Sequence, residues 1–255
     1  MKDKIVVITG GSTGIGKAVA IECAKQEAHV VILSIEEVKH AQEAIKEVES
    51  YGGTVSYYQC DVSNENSVER TFSEIVKKYC HIDYAFNNAG IGPDGVRMSY
   101  KSLVDLTEME WNKVLNVNMK GVWLCMKYEL MQMRLQHQGS IVNTASIGGY
   151  KMAPGFGAYG PSKAGVIALT ELAALENAEY NIKVNSICPG PIKGTELSKN
   201  SSSVNINEEK ILCEHVIPLK KMGVLDEVVN SVMFLFKSTH TTGQKIFIDG
   251  GMHIK

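Results

Sequence analysis

Short runs of β-branched and other apolar residues recur along the chain, separated by longer stretches whose apolar positions repeat with a helical period. The runs over 5–9, 30–33, 55–59, 84–87, 140–144, 183–188 and 245–248 are nearly continuous rather than alternating, the pattern of parallel strands covered on both faces. The stretches over 17–26, 36–50, 67–78, 110–136 and 163–180 place apolar residues three and four apart and predict amphipathic helices. Strand and helix alternate regularly, so βαβ units with right-handed crossovers follow. The expected fold is α/β: a single domain over residues 1–255, built on one doubly wound parallel sheet of about seven strands with helices on both faces. No internal repeat is visible, which excludes a solenoid. One segment breaks the alternation. Residues 193–213 hold Ser198, Asn200, Ser201, Ser202, Ser203, Asn205 and Asn207 with few apolar anchors. Because it follows the sixth strand, and open α/β sheets bind ligands at the carboxyl ends of their strands, a substrate lid over about 193–215 is favoured over a plain loop.

Composition narrows the function classes. With 44% hydrophobic residues and a net charge of −2, the chain of 255 residues is neither disordered nor in need of a disulfide or metal staple. Its 26 basic residues do not outnumber the 28 acidic ones and form no run, so no nucleic-acid partner is expected. The longest mainly apolar stretch, 164–175, is interrupted by Thr170 and Glu171 and is too short for a bilayer, so no membrane partner is expected either. The six cysteines are scattered without a Cys-x-x-Cys pair, and the seven histidines lack His-x-x-x-His spacing, which argues against a metal centre. Thiols without an export leader point to the cytoplasm. The absence of Gly-x-Ser-x-Gly excludes a hydrolase nucleophile elbow.

Thr9-Gly10-Gly11-Ser12-Thr13-Gly14-Ile15-Gly16 directly follows the first strand and opens a helix expected from Lys17. Glycines let a backbone turn sharply and approach a pyrophosphate, and the helix N-terminus offers unpaired N–H groups with partial positive charge. An ordinary strand–helix turn is the plainer alternative. The position between the first strand and a helix, with the βαβ unit closing at 30–33, favours dinucleotide binding.

The spacing Gly-x-x-x-Gly-x-Gly, rather than Gly-x-Gly-x-x-Gly, resembles the classical short-chain dehydrogenase/reductase family, whose motif is Thr-Gly-x-x-x-Gly-x-Gly. Further elements of that family's pattern recur in order: Asp61 after the third strand, Asn87-Asn88-Ala89-Gly90 ending the fourth, Asn118-Met119-Lys120-Gly121, Ser146, Tyr159-Gly160-Pro161-Ser162-Lys163, Pro189-Gly190 and Asp249-Gly250-Gly251. The resemblance spans essentially the whole chain. It implies a Rossmann-type fold, NAD or NADP as cofactor, a small-molecule alcohol or ketone as substrate, and a homo-oligomer, tetramer or dimer. By the same resemblance the cofactor contacts are Gly10, Ser12, Thr13, Gly14, Ile15, Gly16, Ser34, Ile35, Asp61, Val62, Asn88, Ala89, Gly90, Tyr159, Lys163, Pro189, Gly190, Ile192 and Thr195.

Tyr159 and Lys163 stand four residues apart and share one face of a helix. With 10 Tyr and 23 Lys in the chain, about one such pair arises by chance, so the joint order of motifs carries the weight. The lysine cation should favour the phenolate and lower the tyrosine pKa from about 10, making Tyr159 the acid/base. Ser146, just past the fifth strand, can hold the substrate oxygen. Asn118 lies inside the expected helix 110–136, an unfavourable place for asparagine. The resemblance implies that it holds a water linking Lys163 to solvent; a helix kink without chemistry is the alternative.

The end of the second strand ordinarily separates the two cofactors, an acid reading the ribose hydroxyl and an arginine the 2′-phosphate. Here Ser34 and Ile35 fill those positions, followed by Glu36 and Glu37, and none of the chain's three arginines is near. Carboxylates there repel a phosphate, so NAD is expected over NADP. The family's threonine four positions after the Pro-Gly glycine is Gly194 here, with Thr195 one step later. The substrate pocket is expected from 92–97, 147–156, 191–192 and the lid, with Ile147, Met152 and Phe156 suggesting an apolar lining. Met126, Met131 and Met133 read as core or subunit contacts, and Leu124, Met131 and Leu135 as an apolar helical face. The main functional expectation is hydride transfer between a nicotinamide and a secondary alcohol or carbonyl. The rivals are a 3-oxoacyl-carrier-protein reductase and, from another class, a non-catalytic nucleotide-sensing or scaffold protein.

Overall fold

In the computed structural model, which describes residues 1–92, 101–195 and 206–255, the first strand, β1 (Ile5–Thr9), is buried at every position. Its side chains alternate: Ile5 and Val7 enter one core, Val6 and Ile8 the other. The same division runs through β2 (His29–Ser34), β4 (Tyr84–Asn87), β5 (Gly139–Thr144) and β6 (Ile182–Pro189), with β3 (Thr54–Gln59) and β7 (Lys245–Ile248) at the edges. The order is β3-β2-β1-β4-β5-β6-β7 with every pairing parallel. Apolar runs without alternation are thus the signature of a sheet buried on both sides. The order reverses between β1 and β4, which opens a crevice at the carboxyl ends of the strands.

One face is covered by α1 (Gly14–Lys25), α2 (Val38–Glu49) and, past β6, a helix over Leu225–Lys237. The other is covered by α3 (Glu65–Tyr79), α5 (Gly121–Gln136) and α6 (Tyr159–Asn177), with α4 (Glu108–Leu115) running into α5. The strands match the expected ones within a residue at each end. The helices differ more. α1 begins at Gly14 and α6 at Tyr159, before the first apolar positions that reveal a helical period. Pro161 then lies in the first turn of α6, where a missing N–H costs nothing. The helix expected over 110–136 contains a π turn at Asn116–Lys120. The Leu225–Lys237 helix was absent from the expectations although Val228, Val229, Val232, Met233 and Phe236 carry the period. It is α8, following a short α7 (Ile206–Ile211).

Of the expected helical face, Leu124 is in the core, whereas Met131 and Leu135 are 58% and 81% exposed. Met126 and Met133 are buried. The expected lid falls partly outside the described residues, as do residues 93–97 of the expected pocket. Its described part comprises α7, a π turn at Leu212–Val216, and a 2.5 Å ion pair from Lys193 to Glu209. Among the described residues no helix is long and apolar enough to cross a membrane.

Candidate active site

The loop between β1 and α1 is shaped by close approach. Gly10 adopts φ +62°, a region favouring glycine, and its amide donates to the Leu33 carbonyl at 2.7 Å. A Cβ on Gly16 would lie 2.2 Å from the Gly10 carbonyl oxygen, so the first turn of α1 folds back onto the loop only because that side chain is absent. Thr13 precedes α1 in extended conformation and makes no side-chain cap, whereas α3 and α4 are capped by Asn64 and Thr107. The first N–H groups of α1 therefore keep their donor capacity, beside a loop with no room for a Cβ at Gly10 or Gly16. These features suit a pyrophosphate and meet the requirements of a dinucleotide.

Thr9 joins this loop to the next strand end: its hydroxyl accepts from the amides of Asn88 and Ala89, each at 3.0 Å. Asn88 Nδ2 donates to the Gly10 carbonyl at 3.4 Å, and Thr144 donates to Asn88 Oδ1 at the same distance. Gly90 lies against Asn118 and Lys163, whose Oδ1 and Nζ would be 3.3 and 3.5 Å from a Cβ there. Thr9, expected only as part of the glycine motif, is thus the clasp between β1 and β4.

Tyr159, Ser146 and Lys163 converge at the carboxyl ends of β5 and β6. Ser146 precedes a 3-10 turn (Ile147–Gly149) and its Oγ accepts from the Gly148 amide at 3.0 Å. It also lies close enough to the Tyr159 hydroxyl to lower that group's pKa. Lys163, on the same face of α6, donates to the Thr144 carbonyl at 2.7 Å and lies 5.9 Å from the centre of the Tyr159 ring. Burial lowers its pKa from 10.5 to about 8. Burial also raises the Tyr159 pKa, and the nearby Ser146 hydroxyl offsets only part of that. This corrects the expected acidification. The Lys163 ammonium donates to the Thr144 carbonyl, and burial dominates at Tyr159, so these side chains alone leave Tyr159 a neutral phenol.

Asn118 is fully buried in the π turn. Its Oδ1 accepts from the Ile91 amide at 2.8 Å and its Nδ2 donates to the Ile91 carbonyl at 2.9 Å and to Ser162 Oγ at 3.2 Å. It therefore pins the turn after Gly90 to the first turn of α6. Of the two alternatives the sequence left, the helix irregularity is present as the π turn.

At the end of β2, Ser12 and Ser34 share a 2.8 Å hydrogen bond, and Ser12 donates to Glu36 Oε2 at 3.3 Å. Tyr57 and Gln59 of β3 hold the carbonyls of Glu36 and Ile35. Glu37 instead pairs with Lys39 at 2.7 Å in solvent. Two adjacent carboxylates thus part company: Glu36 faces the glycine loop, and Glu37 neutralises the nearest lysine.

The remaining expected contacts rim this crevice. Asp61 Oδ1 accepts from the amide and hydroxyl of Ser63 at 2.9 and 2.7 Å, and Val62 packs against Gly121. Gly190 donates to the Ile248 carbonyl at 2.9 Å, which ties Pro189 and Gly190 to β7. Ile192 is buried against Gly223, and Thr195 Oγ1 donates to the Ile192 carbonyl at 3.2 Å. Ile15 packs partly buried against the core, and Ile35 is 64% exposed. Around Tyr159 the lining is apolar: Phe156 meets it edge-on at 6.1 Å and covers Gly148, Met152 covers Gly160, and Ile91, Leu106 and Trp111 pack beside it.

Residues 10–253 match the family model described as enoyl-(acyl carrier protein) reductase. A 3-oxoacyl-[acyl-carrier-protein] reductase FabG of Thermotoga maritima is 36% identical over 256 residues, covering 100% of this chain and 99% of that protein. An NAD+-bound xylitol dehydrogenase superposes with a TM-score of 0.88 at 31% identity, covering 98% of this chain and 99% of the other. ElxO with NADP bound gives a TM-score of 0.88 at 35% identity, with 100% of both chains covered.

Proposed function

The chain belongs to the short-chain dehydrogenase/reductase family, oxidoreductases acting on carbonyl and alcohol groups with a nicotinamide cofactor, and from that premise we propose that Tyr159 is its general acid/base. The observation that carries this reading is the buried Tyr159 with Ser146 beside its hydroxyl, and Lys163 buried on the same helical face with its Nζ against Gly90. The cofactor supplies the hydride. Ser146 orients the substrate oxygen, and Tyr159, kept neutral by burial, gives that oxygen a proton as it gains charge. Lys163 steadies the charge left on the phenol and reaches the cofactor ribose. Asn118 holds the turn that brings Gly90 and Lys163 together and orders the relay to solvent.

The site is read as favouring NAD over NADP. Glu36 turns its carboxylate toward Ser12, next to where a ribose would lie, and a 2′-phosphate would meet that charge without a facing cation. The substrate reads as a small alcohol or ketone with apolar substituents, from Phe156, Met152 and Ile91 around Tyr159. The Thermotoga relative supports a second reading, reduction of a 3-oxoacyl group on a carrier protein. A homo-oligomer, dimer or tetramer, would cover Trp123, Met131 and Leu135 on α5 and Leu172 and Leu175 on α6, all exposed in the single chain. Free cysteines, four of them buried, suit the reducing cytoplasm, and one domain with a lid at 193–215 remains the organisation we favour. The test is Tyr159→Phe. Turnover of a panel of ketones, alcohols and 3-oxoacyl thioesters, read at the nicotinamide absorbance, should fall by about a thousandfold or more. Dinucleotide affinity, followed by fluorescence titration, should stay within about threefold. Turnover retained in that variant refutes the assignment.

A further inference from the structure

Glu129 is fully buried on α5, far along the helix from Asn118, and the mechanism above does not use it. Its Oε2 accepts from Asn87 Nδ2 at 2.9 Å. Its Oε1 has no partner, and the same is true of Asn87 Oδ1; among the described residues these are the buried side-chain oxygens or nitrogens left without one. The second hydrogen of the Asn87 amide goes to Asn143 Oδ1 at 3.0 Å, across the β4–β5 register in which these two residues are partners. Asn143 Nδ2 then donates to Thr170 Oγ1 on α6 at 3.0 Å, and Thr170 donates to the Val166 carbonyl at 2.7 Å. The chain of bonds runs α5–β4–β5–α6.

Those elements carry the site. Asn87 immediately precedes Asn88-Ala89-Gly90, Asn143 leads to Ser146, Thr170 lies on the helix of Tyr159 and Lys163, and Glu129 on the helix that continues from Asn118. A buried carboxylate needs a cation or several donors, and this one has a single amide hydrogen. The neighbours from β4, β5 and α6 are the uncharged Asn87, Asn143 and Thr170. The titratable group that registers beside it is the Cys125 thiol on its own helix, itself raised by burial and by Glu129, with Cys60 beyond. A proton on Oε1 resolves both unpartnered oxygens together. The acid O–H then returns to Asn87 Oδ1 while the amide N–H goes to Oε2, a closed acid–amide pair.

We propose that Glu129 is a positioning residue for the oxidoreductase reaction: as a neutral acid paired with Asn87 it locks the strand end that carries Asn88-Ala89-Gly90 against the helices that carry Asn118, Tyr159 and Lys163. The lock rests on the dehydrogenase reading for its consequence and on the buried bonds for its existence. Its ionisation leaves a charge facing the Asn87 oxygen and opens the pair. Burial that pushes the Glu129 carboxyl up to about 8 sets the opening in the mildly alkaline range.

Infrared difference spectra of wild type against Glu129→Gln at about pH 7 test the pair directly. The expected result is the C=O stretch of a protonated carboxyl in wild type that Glu129→Gln lacks; a carboxylate signal alone overturns the proposal. Kinetics tests the positioning. Glu129→Leu should lower kcat by about tenfold or more with substrate KM nearly unchanged, and Glu129→Gln should rescue it to within about threefold. The affinity for NADH should weaken above about pH 8 in wild type to a greater degree than in Glu129→Gln. Leu matching wild type, or identical pH profiles for wild type and Gln, removes the positioning role. If Glu129→Leu does not fold, the spectra and the Gln profile still decide. A wild type that binds no dinucleotide would sink the dehydrogenase reading instead, and the spectra would still judge the acid–amide pair.

Discussion

Replacing Glu129 with Gln should change how stability depends on pH, and the size of the change follows from burial. The folded carboxyl is pushed from 4.5 up to about 8 because desolvation opposes its charge, with only the Asn87 amide working the other way. Below about pH 4.5 both folded and unfolded chains hold the proton. Between there and about pH 8 the unfolded chain releases it while the folded chain keeps it. Fewer protons on the unfolded state means stability falls as pH rises, by up to about 1.4 kcal/mol per pH unit. Above about pH 8 both states are ionised and the full loss, on the order of 4–5 kcal/mol, is in place. Gln presents a similar shape without a titration. Urea unfolding of both proteins at a series of pH values should give a stability difference, Gln minus wild type, that climbs by about 3–5 kcal/mol between about pH 5 and pH 9. Titrating groups not coupled to Glu129 cancel in that difference. A difference that stays flat to within about 0.5 kcal/mol refutes the reasoning and places a charged or solvated carboxylate at this position.

Gly16→Ala should weaken dinucleotide binding by about a hundredfold or more, since its Cβ would sit 2.2 Å from the Gly10 oxygen and must push the loop apart; circular dichroism of the variant separates this from misfolding. Glu36→Ser should lower the NADPH dissociation constant by about tenfold and move that for NADH by less, on removal of one carboxylate at Ser12; an unchanged ratio would mean that Glu36 does not face the ribose. Asn118→Leu strips partners from both the amide and the carbonyl of Ile91 and should cost about 2–4 kcal/mol in thermal or urea unfolding, with turnover falling as well.

The central strands β1, β2, β4, β5 and β6 were legible because a parallel sheet buried on both faces demands nearly unbroken apolar runs. Helix starts were less legible. α1 and α6 begin on Gly14 and Tyr159, ahead of their apolar periods, so the pattern announces each helix late. The positions of Tyr159, Lys163, Ser146 and Asn118 along the chain could be read from motif order, since each sits at a fixed offset from a strand end. What these residues do to one another could not. The sequence placed Lys163 beside Tyr159 and suggested an acidified phenol, yet the lysine bonds Thr144 and burial raises the tyrosine.

The sequence by itself determined the α/β architecture, the glycine loop and the spacing of Tyr159, Lys163 and the other candidate site residues, because period and offset are local properties of the chain. Only the tertiary structure decided which of two adjacent glutamates faces the cofactor loop, and that Glu129 lies in a dry pocket against Asn87, in contact across α5 and β4. Burial and partner choice depend on residues far apart in the chain brought into contact. The energy of a charge is set by that surrounding medium and not by its neighbours in sequence.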